Sequence, residues 1–193
     1  MAQQDKLKNK RVAILATDGV EQAELLEPKK ALEEAGARAE VISVKAGKIR
    51  GWDMKDWGQD IPVDKTLDSV RAEDYDALVL PGGAMNPDKL RRLPAVHKFV
   101  LAFFDAGKPV GAICHGPWIL IDTGVARGRK LTSYESIQSD LKNAGAFWVD
   151  EEVVVDQGLV TSRKPADLPA FNRKLIEEIG EGIHAGQREK VHG

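Results

Sequence analysis

The chain alternates short apolar runs with segments of helical periodicity, and this alternation is the strongest constraint on its fold. Residues 11–17, 77–80 and 109–113 are apolar runs, and Asp18-Gly19 and Pro81-Gly82-Gly83 close the first two. Runs of about four to eight apolar residues bounded by turn residues are typical of buried strands. Strands that alternate with helices predict a parallel sheet covered on both faces. The sequence therefore predicts an α/β fold.

Helical periodicity fills the segments between the predicted strands. Residues 21–35 place leucine and alanine at helical spacing, Gly36 supplies a stop, and residues 40–44 form the next strand, so the first unit is βαβ. Residues 45–67 show no helical period and are predicted to be an irregular insertion with short strands. Further helices are predicted at residues 94–106, 117–121, 136–144 and 169–179, and a two-strand element at residues 153–155 and 159–161.

Length and charge narrow the class of protein. The 193 residues suit a single domain spanning residues 1–193, with a core over about residues 10–180 and a flexible tail at 181–193. The 28 basic and 30 acidic residues nearly cancel, which argues against a nucleic-acid surface and favours a small neutral substrate. The apolar runs are too short to span a membrane, and the polar start has no apolar stretch of a secretory signal. We expect a cytoplasmic protein without a membrane partner.

Cys114 is the only cysteine of the chain, which excludes an intramolecular disulfide and a cysteine-rich metal site. A lone thiol is most often buried core. Here Cys114 directly follows a predicted strand and precedes His115, Gly116 and Pro117, a pattern typical of the strand-to-helix elbow that presents a nucleophile. The neighbouring helix start is expected to lower the pKa of the thiol. The context favours a reactive cysteine.

Two further groups are predicted to serve this thiol. His115 is the candidate acid and base, because it follows the cysteine directly. Gly82 and Gly83 end a neighbouring strand, and the backbone N–H groups of Gly83 and His115 are the candidate oxyanion hole. A simple Pro-Gly-Gly turn is the alternative interpretation.

The first predicted helix carries Glu21, Glu24 and Glu27 at a spacing of three. Such a stripe is usually a solvated face, and this alternative stays open for Glu21, a candidate substrate-binding residue, and for Glu27. Glu24 is predicted to face the elbow as a carboxyl kept neutral by burial and to share a proton with Cys114.

The remaining histidines, His97, His184 and His192, are predicted to lie on a surface helix and in the tail, away from the thiol. Four scattered histidines and one cysteine give no recognisable metal-ligand spacing, so neither a metal site nor a cofactor is expected.

These segments together resemble the PfpI/ThiJ superfamily, which includes intracellular protease I, general stress proteins and Parkinsonism-associated deglycases. The resemblance extends from about Lys10 to Ile179. Its motifs are Glu21-Gln-Ala-Glu24, Leu80-Pro-Gly-Gly83, Ala112-Ile-Cys-His-Gly-Pro117, Arg127-Gly-Arg-Lys-Leu-Thr132, Asn143-Ala-Gly-Ala146, Glu152-Val-Val-Val-Asp156 and Val160-Thr-Ser-Arg163.

The resemblance implies a flavodoxin-like three-layer sandwich, assembled as a homodimer or larger homo-oligomer, with Cys114 as nucleophile and Glu24 and His115 beside it. In the protease I branch an acidic residue of a neighbouring subunit orients the histidine, and Asp88 is the nearest match by position. Trp118 stands where many relatives carry glutamine, and it is expected to narrow the site.

The resemblance also implies three functions. The first is a hydrolase that acts on small dicarbonyls or their adducts, of the protein deglycase or glutathione-independent glyoxalase type. The second is a cysteine peptidase, and the third is an oxidative-stress sensor or chaperone that uses an oxidisable Cys114. A glutamine amidotransferase is disfavoured, because no His-x-Glu pair follows the cysteine.

Overall fold

A computed structural model describes residues 6–192 of the chain, with side chains up to Arg188. Residues 1–5, the first half of the predicted polar start, and the side chain of His192 lie outside that description. The strands are β1 (Arg11–Leu15), β2 (Val20–Glu21), β3 (Arg38–Ser43), β4 (Lys48–Asp53), β5 (Asp56–Pro62), β6 (Lys65–Thr66), β7 (Ala77–Leu80), β8 (Val110–Ile113), β9 (Lys130–Leu131), β10 (Phe147–Trp148), β11 (Val154–Asp156) and β12 (Leu159–Ser162). The helices are α1 (Gln22–Glu34), α2 (Met85–Leu90), α3 (Pro94–Asp105), α4 (Trp118–Asp122), α5 (Gln138–Asn143), α6 (Leu168–Glu181) and α7 (Ala185–His192).

The central sheet has seven strands in the order β11-β12-β8-β7-β1-β3-β6. All neighbouring pairs are parallel except β11 with β12, which form an antiparallel edge. Parallel strands need long crossovers, and the helices of the chain supply them. The prediction of an α/β fold with a mostly parallel sheet is confirmed.

Two separate apolar cores lie on the two faces of this sheet. Along β1, Val12 and Ile14 face the core built with α1 and α6, whereas Ala13 and Leu15 face the core built with α3, α4 and α5. Successive side chains of a strand point to opposite faces, so a strand covered on both sides must be apolar throughout. This explains why the strand appears in the sequence as a continuous apolar run.

The insertion predicted at residues 45–67 as irregular with short strands contains the longer strands β4 and β5, which pair as an antiparallel hairpin with a register shift between Arg50 and Trp52. The strand β2 adds a third strand to this hairpin. Trp52 and Trp57 face each other across the hairpin, with ring centroids 5.5 Å apart in a T-shaped arrangement. Cross-strand aromatic pairs stabilise two-stranded ribbons. The glycine and aspartate residues of the segment suggested irregular structure, and the strand pairing overrides them.

The segment predicted to be a flexible tail forms the end of α6 and the helix α7. Gln187 is fully buried, and its backbone carbonyl accepts a hydrogen bond of 3.0 Å from the buried Arg129 guanidinium. The His184 N–H donates to the Gly107 carbonyl at 2.8 Å. These bonds fix the segment up to Arg188 against the domain, a tertiary effect that the polar composition does not reveal.

None of the helices among residues 6–192 combines the length and the apolar character that crossing a bilayer requires.

Candidate active site

Cys114 lies on a strained turn between β8 and α4. Its φ of +61° is in the left-handed region, which residues other than glycine rarely adopt. The Cys114 N–H donates to the Ser162 carbonyl at 3.0 Å, and the Cys114 carbonyl accepts from the Tyr134 N–H at 2.8 Å. At Gly116 a Cβ atom would lie 2.3 Å from the Leu80 carbonyl oxygen, so the turn requires glycine there. These backbone contacts hold the elbow.

The His115 ring lies against the sulfur and is fixed on its other sides. Its Nδ1 is 3.2 Å from Cys114 Sγ, and its Nε2 is 3.1 Å from Ser136 Oγ. The ring stacks on Tyr134 with centroids 4.9 Å apart and meets the edge of Trp118 at 5.2 Å. Burial lowers the pKa of His115 and so favours the neutral imidazole, the form that can accept a proton.

Glu24 is fully buried one turn into α1, as its position in the sequence predicts. Its Oε2 accepts the Gly82 N–H at 2.8 Å, and Oε1 has no hydrogen-bond partner among the described residues. Burial raises the pKa of Glu24 to about 8, although the hydrogen bond from Gly82 and the contact with Cys114 oppose the shift. The carboxyl is therefore mostly protonated at neutral pH.

The pKa of the Cys114 thiol is shifted in the direction opposite to the one that the sequence predicts. Burial, and the charge of Glu24 when that group is ionised, raise the pKa of Cys114, whereas the N–H groups of Gly83 and His115 lower it. Only 7% of Cys114 is exposed, and α4 has five residues and begins four residues beyond the cysteine. Desolvation therefore exceeds the predicted stabilisation by a helix N-terminus. The thiol therefore needs a proton acceptor to become a thiolate, and His115 Nδ1 is in contact with Sγ.

The loop after β7 packs directly on the elbow. Gly83 has a φ of +77°, and a Cβ atom there would lie 2.4 Å from the Gly19 carbonyl oxygen. Asn86 is fully buried on α2, where its side chain accepts the Thr17 N–H at 2.8 Å and donates to the Pro81 and Gly82 carbonyls. The Gly82-Gly83 pair is therefore a fixed close contact and not a free turn.

We expect Gly82→Ala to abolish the site and to destabilise the fold by about 1–3 kcal/mol, the usual cost of overpacking. The added Cβ would lie 2.5 Å from Glu24 Oε2 and 2.7 Å from Cys114 Cβ. Urea unfolding of both proteins measures the difference.

The matched control is Gly180→Ala in α6, where the nearest atom to the added Cβ is 3.9 Å away. This change should stabilise the chain by about 0.5–1 kcal/mol, since alanine is the better helix former. A Gly82→Ala chain as stable as the parent would contradict the close contact.

The other predicted site residues take different positions. Glu21 is buried and not solvated. Its Oε1 accepts the N–H of Met54, in the turn of the β4–β5 hairpin, at 3.2 Å. Burial raises the pKa of Glu21. Glu27 is exposed. Trp118 is half-buried against His115 and donates from Nε1 to Asp140 at 2.8 Å. Asp88 is exposed on α2, and the structure assigns it no contact with His115.

Two residues of the site were missed by the sequence reasoning. Ser136 contacts His115 from the 3₁₀ helix Glu135–Ile137 that precedes α5, and Asn86 fixes the glycine loop. The segment around Tyr134 is recognisable at a strand end, but nothing in its composition indicates that Ser136 contacts the imidazole. A polar cleft of about 440 Å³ adjoins Tyr134. It is lined by Ser133, Tyr134, Glu135, Gln138, Trp148, Asp150, Arg163 and Lys164.

The fold and the elbow define the class, an α/β protein that presents a single cysteine beside a histidine on a strained turn. The chain belongs to the DJ-1/PfpI family, whose sequence profile matches residues 10–178. The predicted family membership is thereby confirmed.

Named relatives support this membership. YraA of Bacillus subtilis (strain 168), whose name proposes a cysteine protease, is 47% identical over 87% of this chain and 97% of its own. Protein/nucleic acid deglycase 2 of Escherichia coli (strain K12) is 45% identical over 89% of this chain and 99% of its own. A two-domain crystal structure from Anabaena variabilis, with a DJ-1/ThiJ/PfpI-like and a ferritin-like domain, matches with a TM-score of 0.84 and 38% identity. That match covers 89% of this chain and 48% of the two-domain protein, about half its length.

Proposed function

We propose that the chain is a cysteine-dependent hydrolase that acts on small dicarbonyls or their adducts with proteins. The observation that carries the proposal is the contact of 3.2 Å between Cys114 Sγ and His115 Nδ1, beside a buried, mostly protonated Glu24. The name of the 45% identical relative from Escherichia coli, a protein/nucleic acid deglycase, supports the substrate class.

Each of these groups has a role in the proposed reaction. The neutral His115 takes the proton from Sγ, and the sulfur forms a bond to the electrophilic carbonyl carbon while the carbonyl π pair moves onto oxygen. The N–H groups of Gly83 and His115, which both interact with the sulfur, hold the resulting oxyanion. Glu24 gives its proton to the oxyanion, and its carboxylate then moves the C–H proton of the same carbon to the neighbouring carbonyl carbon, while the hydroxyl proton moves to the second oxygen; the product is a thioester. Water adds to the thioester carbonyl, the C–S bond breaks, and His115 returns its proton to the sulfur. A 2-hydroxy acid leaves, and its acidic proton returns to Glu24.

The remaining predicted residues bind or orient. Trp118 and Tyr134 pack against the His115 imidazole and would line the substrate-binding site next to Sγ. The buried Glu21 is the further proposed substrate-binding residue. Ser136 contacts Nε2 of His115 within one chain. In the proposed homodimer or larger assembly, Asp88 of a neighbouring subunit would serve the histidine, a role that its exposure permits.

A cysteine peptidase is the second candidate. The name of the 47% identical YraA supports it, and the polar cleft beside Tyr134 offers room for a bound chain. A peptidase must bring several residues of an extended chain to the sulfur, whereas only 7% of Cys114 is exposed. The first candidate is therefore favoured.

A single substrate panel distinguishes the two candidates. We expect the purified protein to consume methylglyoxal and to release it from glycated thiols and glycated peptides, with unfolded casein and unmodified peptides left intact. The Cys114→Ala protein serves as the blank, and buffer-catalysed loss is subtracted. Cleavage of casein without turnover of methylglyoxal would contradict the first candidate and support the peptidase.

A further inference from the structure

The carboxyl-terminal end of α6 carries a cluster of titratable side chains that the proposed reaction does not use. Glu178 and Glu181 lie one turn apart, and His184 follows Gly182, the residue that ends the helix. One ligand atom from each of the three side chains lies within 4.8 Å of the others. Their sequence pattern, Glu-x2-Glu-x2-His, crosses the end of the helix, and only the reversal at Gly182 turns the imidazole back onto the carboxylates.

The spacing within the cluster suits one small cation. Glu178 Oε2 and His184 Nε2 are 3.4 Å apart. Two ligand atoms that each bind zinc at about 2.0–2.1 Å in a tetrahedral site stand about 3.4 Å from each other. Glu181 is exposed, so rotation of its side chain can bring its carboxylate closer without disturbing the core.

Two of the three ligands are held in place by the fold. Glu178 is only 8% exposed. The His184 ring packs on the turn between β11 and β12, where a Cβ atom at Gly158 would lie 2.8 Å from the imidazole Cδ2. The His184 N–H is bonded to the Gly107 carbonyl. Without an ion, Nε2 can donate to the Glu178 backbone carbonyl at 3.2 Å, and the tautomer protonated on Nδ1 frees Nε2 to bind.

The local charge also favours a cation. Glu178 and Glu181 lie at the end of the helix at which the dipole is negative, whereas the charge of the adjacent Glu177 is paired with Lys174. One imidazole with two carboxylates is a donor set that suits zinc. We propose that Glu178, Glu181 and His184 bind one zinc ion, with water in the fourth position. The ion would tie the end of α6 to the segment that leads into α7.

Zinc titration calorimetry on the full-length protein, freed of metal by a chelator, tests this site. All proteins carry Cys114→Ser, so that the thiol binds no zinc. We expect one zinc ion per chain, and at least about a tenfold loss of affinity in Glu178→Gln and in Glu181→Gln, since even the loss of an outer-shell partner costs that much. Glu177→Gln removes the same charge one residue from the cluster, and it should bind as the parent does.

Thermal unfolding gives a second readout. Zinc should raise the Tm of the parent and of Glu177→Gln equally, and it should raise that of Glu178→Gln and Glu181→Gln less at the same zinc concentration, because stabilisation by a ligand of the folded state falls with its affinity. A parent that binds no zinc, or Glu181→Gln with the affinity of the parent, would overturn the site. If Glu178→Gln folds poorly, the exposed Glu181→Gln decides.

Discussion

Replacing Cys114 with alanine is expected to reduce the consumption of methylglyoxal to the rate of the buffer blank. The chain has no second thiol, and Cys114 Sγ is the group that His115 Nδ1 contacts at 3.2 Å. Without the sulfur, the imidazole, the buried carboxyl and the oxyanion donors have no nucleophile to serve. Initial rates at neutral pH, with the blank subtracted, measure the loss.

The fold should survive this substitution. The elbow is held by the bonds of Cys114 to Ser162 and Tyr134, and both are made by the backbone. Circular dichroism of the variant checks this point. Ser139→Ala, an exposed position on α5, is the control that should keep the parent rate. Turnover by Cys114→Ala at the parent rate would mean that the thiol is not the nucleophile.

Glu24→Gln is expected to change how stability depends on pH. In the folded chain the pKa of Glu24 is about 8, well above its usual value of 4.5, so the folded state keeps a proton that the unfolded state releases between these values. The stability that this group contributes is therefore complete below pH 4.5 and is lost as the pH rises towards 8. The full loss is on the order of 4–5 kcal/mol.

Urea unfolding at pH 5 and pH 8 measures this difference. The free energy of unfolding of the parent should fall over this range by several kcal/mol more than that of Glu24→Gln, whose amide does not titrate and still accepts the Gly82 N–H. Glu27→Gln, exposed on the same helix, should behave as the parent does. Equal slopes in the parent and in Glu24→Gln would show that Glu24 is ionised in the folded protein.

The central strands are predictable from local sequence. A strand that is buried on both faces of a sheet is a continuous apolar run, whichever strands it pairs with. The strand at residues 77–80 has the predicted bounds, since Asp76 and Pro81 flank an uninterrupted apolar run. The β4–β5 hairpin is different. Its strands are mostly exposed, and they become strands only because each pairs with the other. The helix α7 likewise depends on the contact of Gln187 with Arg129, 58 residues away.

The residues of the candidate site likewise fall into those that the sequence indicates and those that only the structure brings together. Cys114, His115 and the glycine pair are recognisable because an elbow and a close contact demand particular residues at particular offsets. Ser136 and Asn86 carry no such local signature, since their roles arise from side chains meeting across the fold. The pKa of the thiol was expected to be lowered and is raised, because the depth of burial is a tertiary property.

The left-handed backbone at Cys114 lowers the stability of the folded chain at the residue that carries the thiol. A residue with a Cβ atom held in this region costs about 1–2 kcal/mol, and only glycine would escape that cost. For folding stability alone, glycine would therefore be the better residue at position 114. Asn9, Met54 and Gln157 adopt the same backbone region in turns, whereas Cys114 adopts it where its sulfur contacts the His115 imidazole, so at this position the cost is tied to the proposed chemistry.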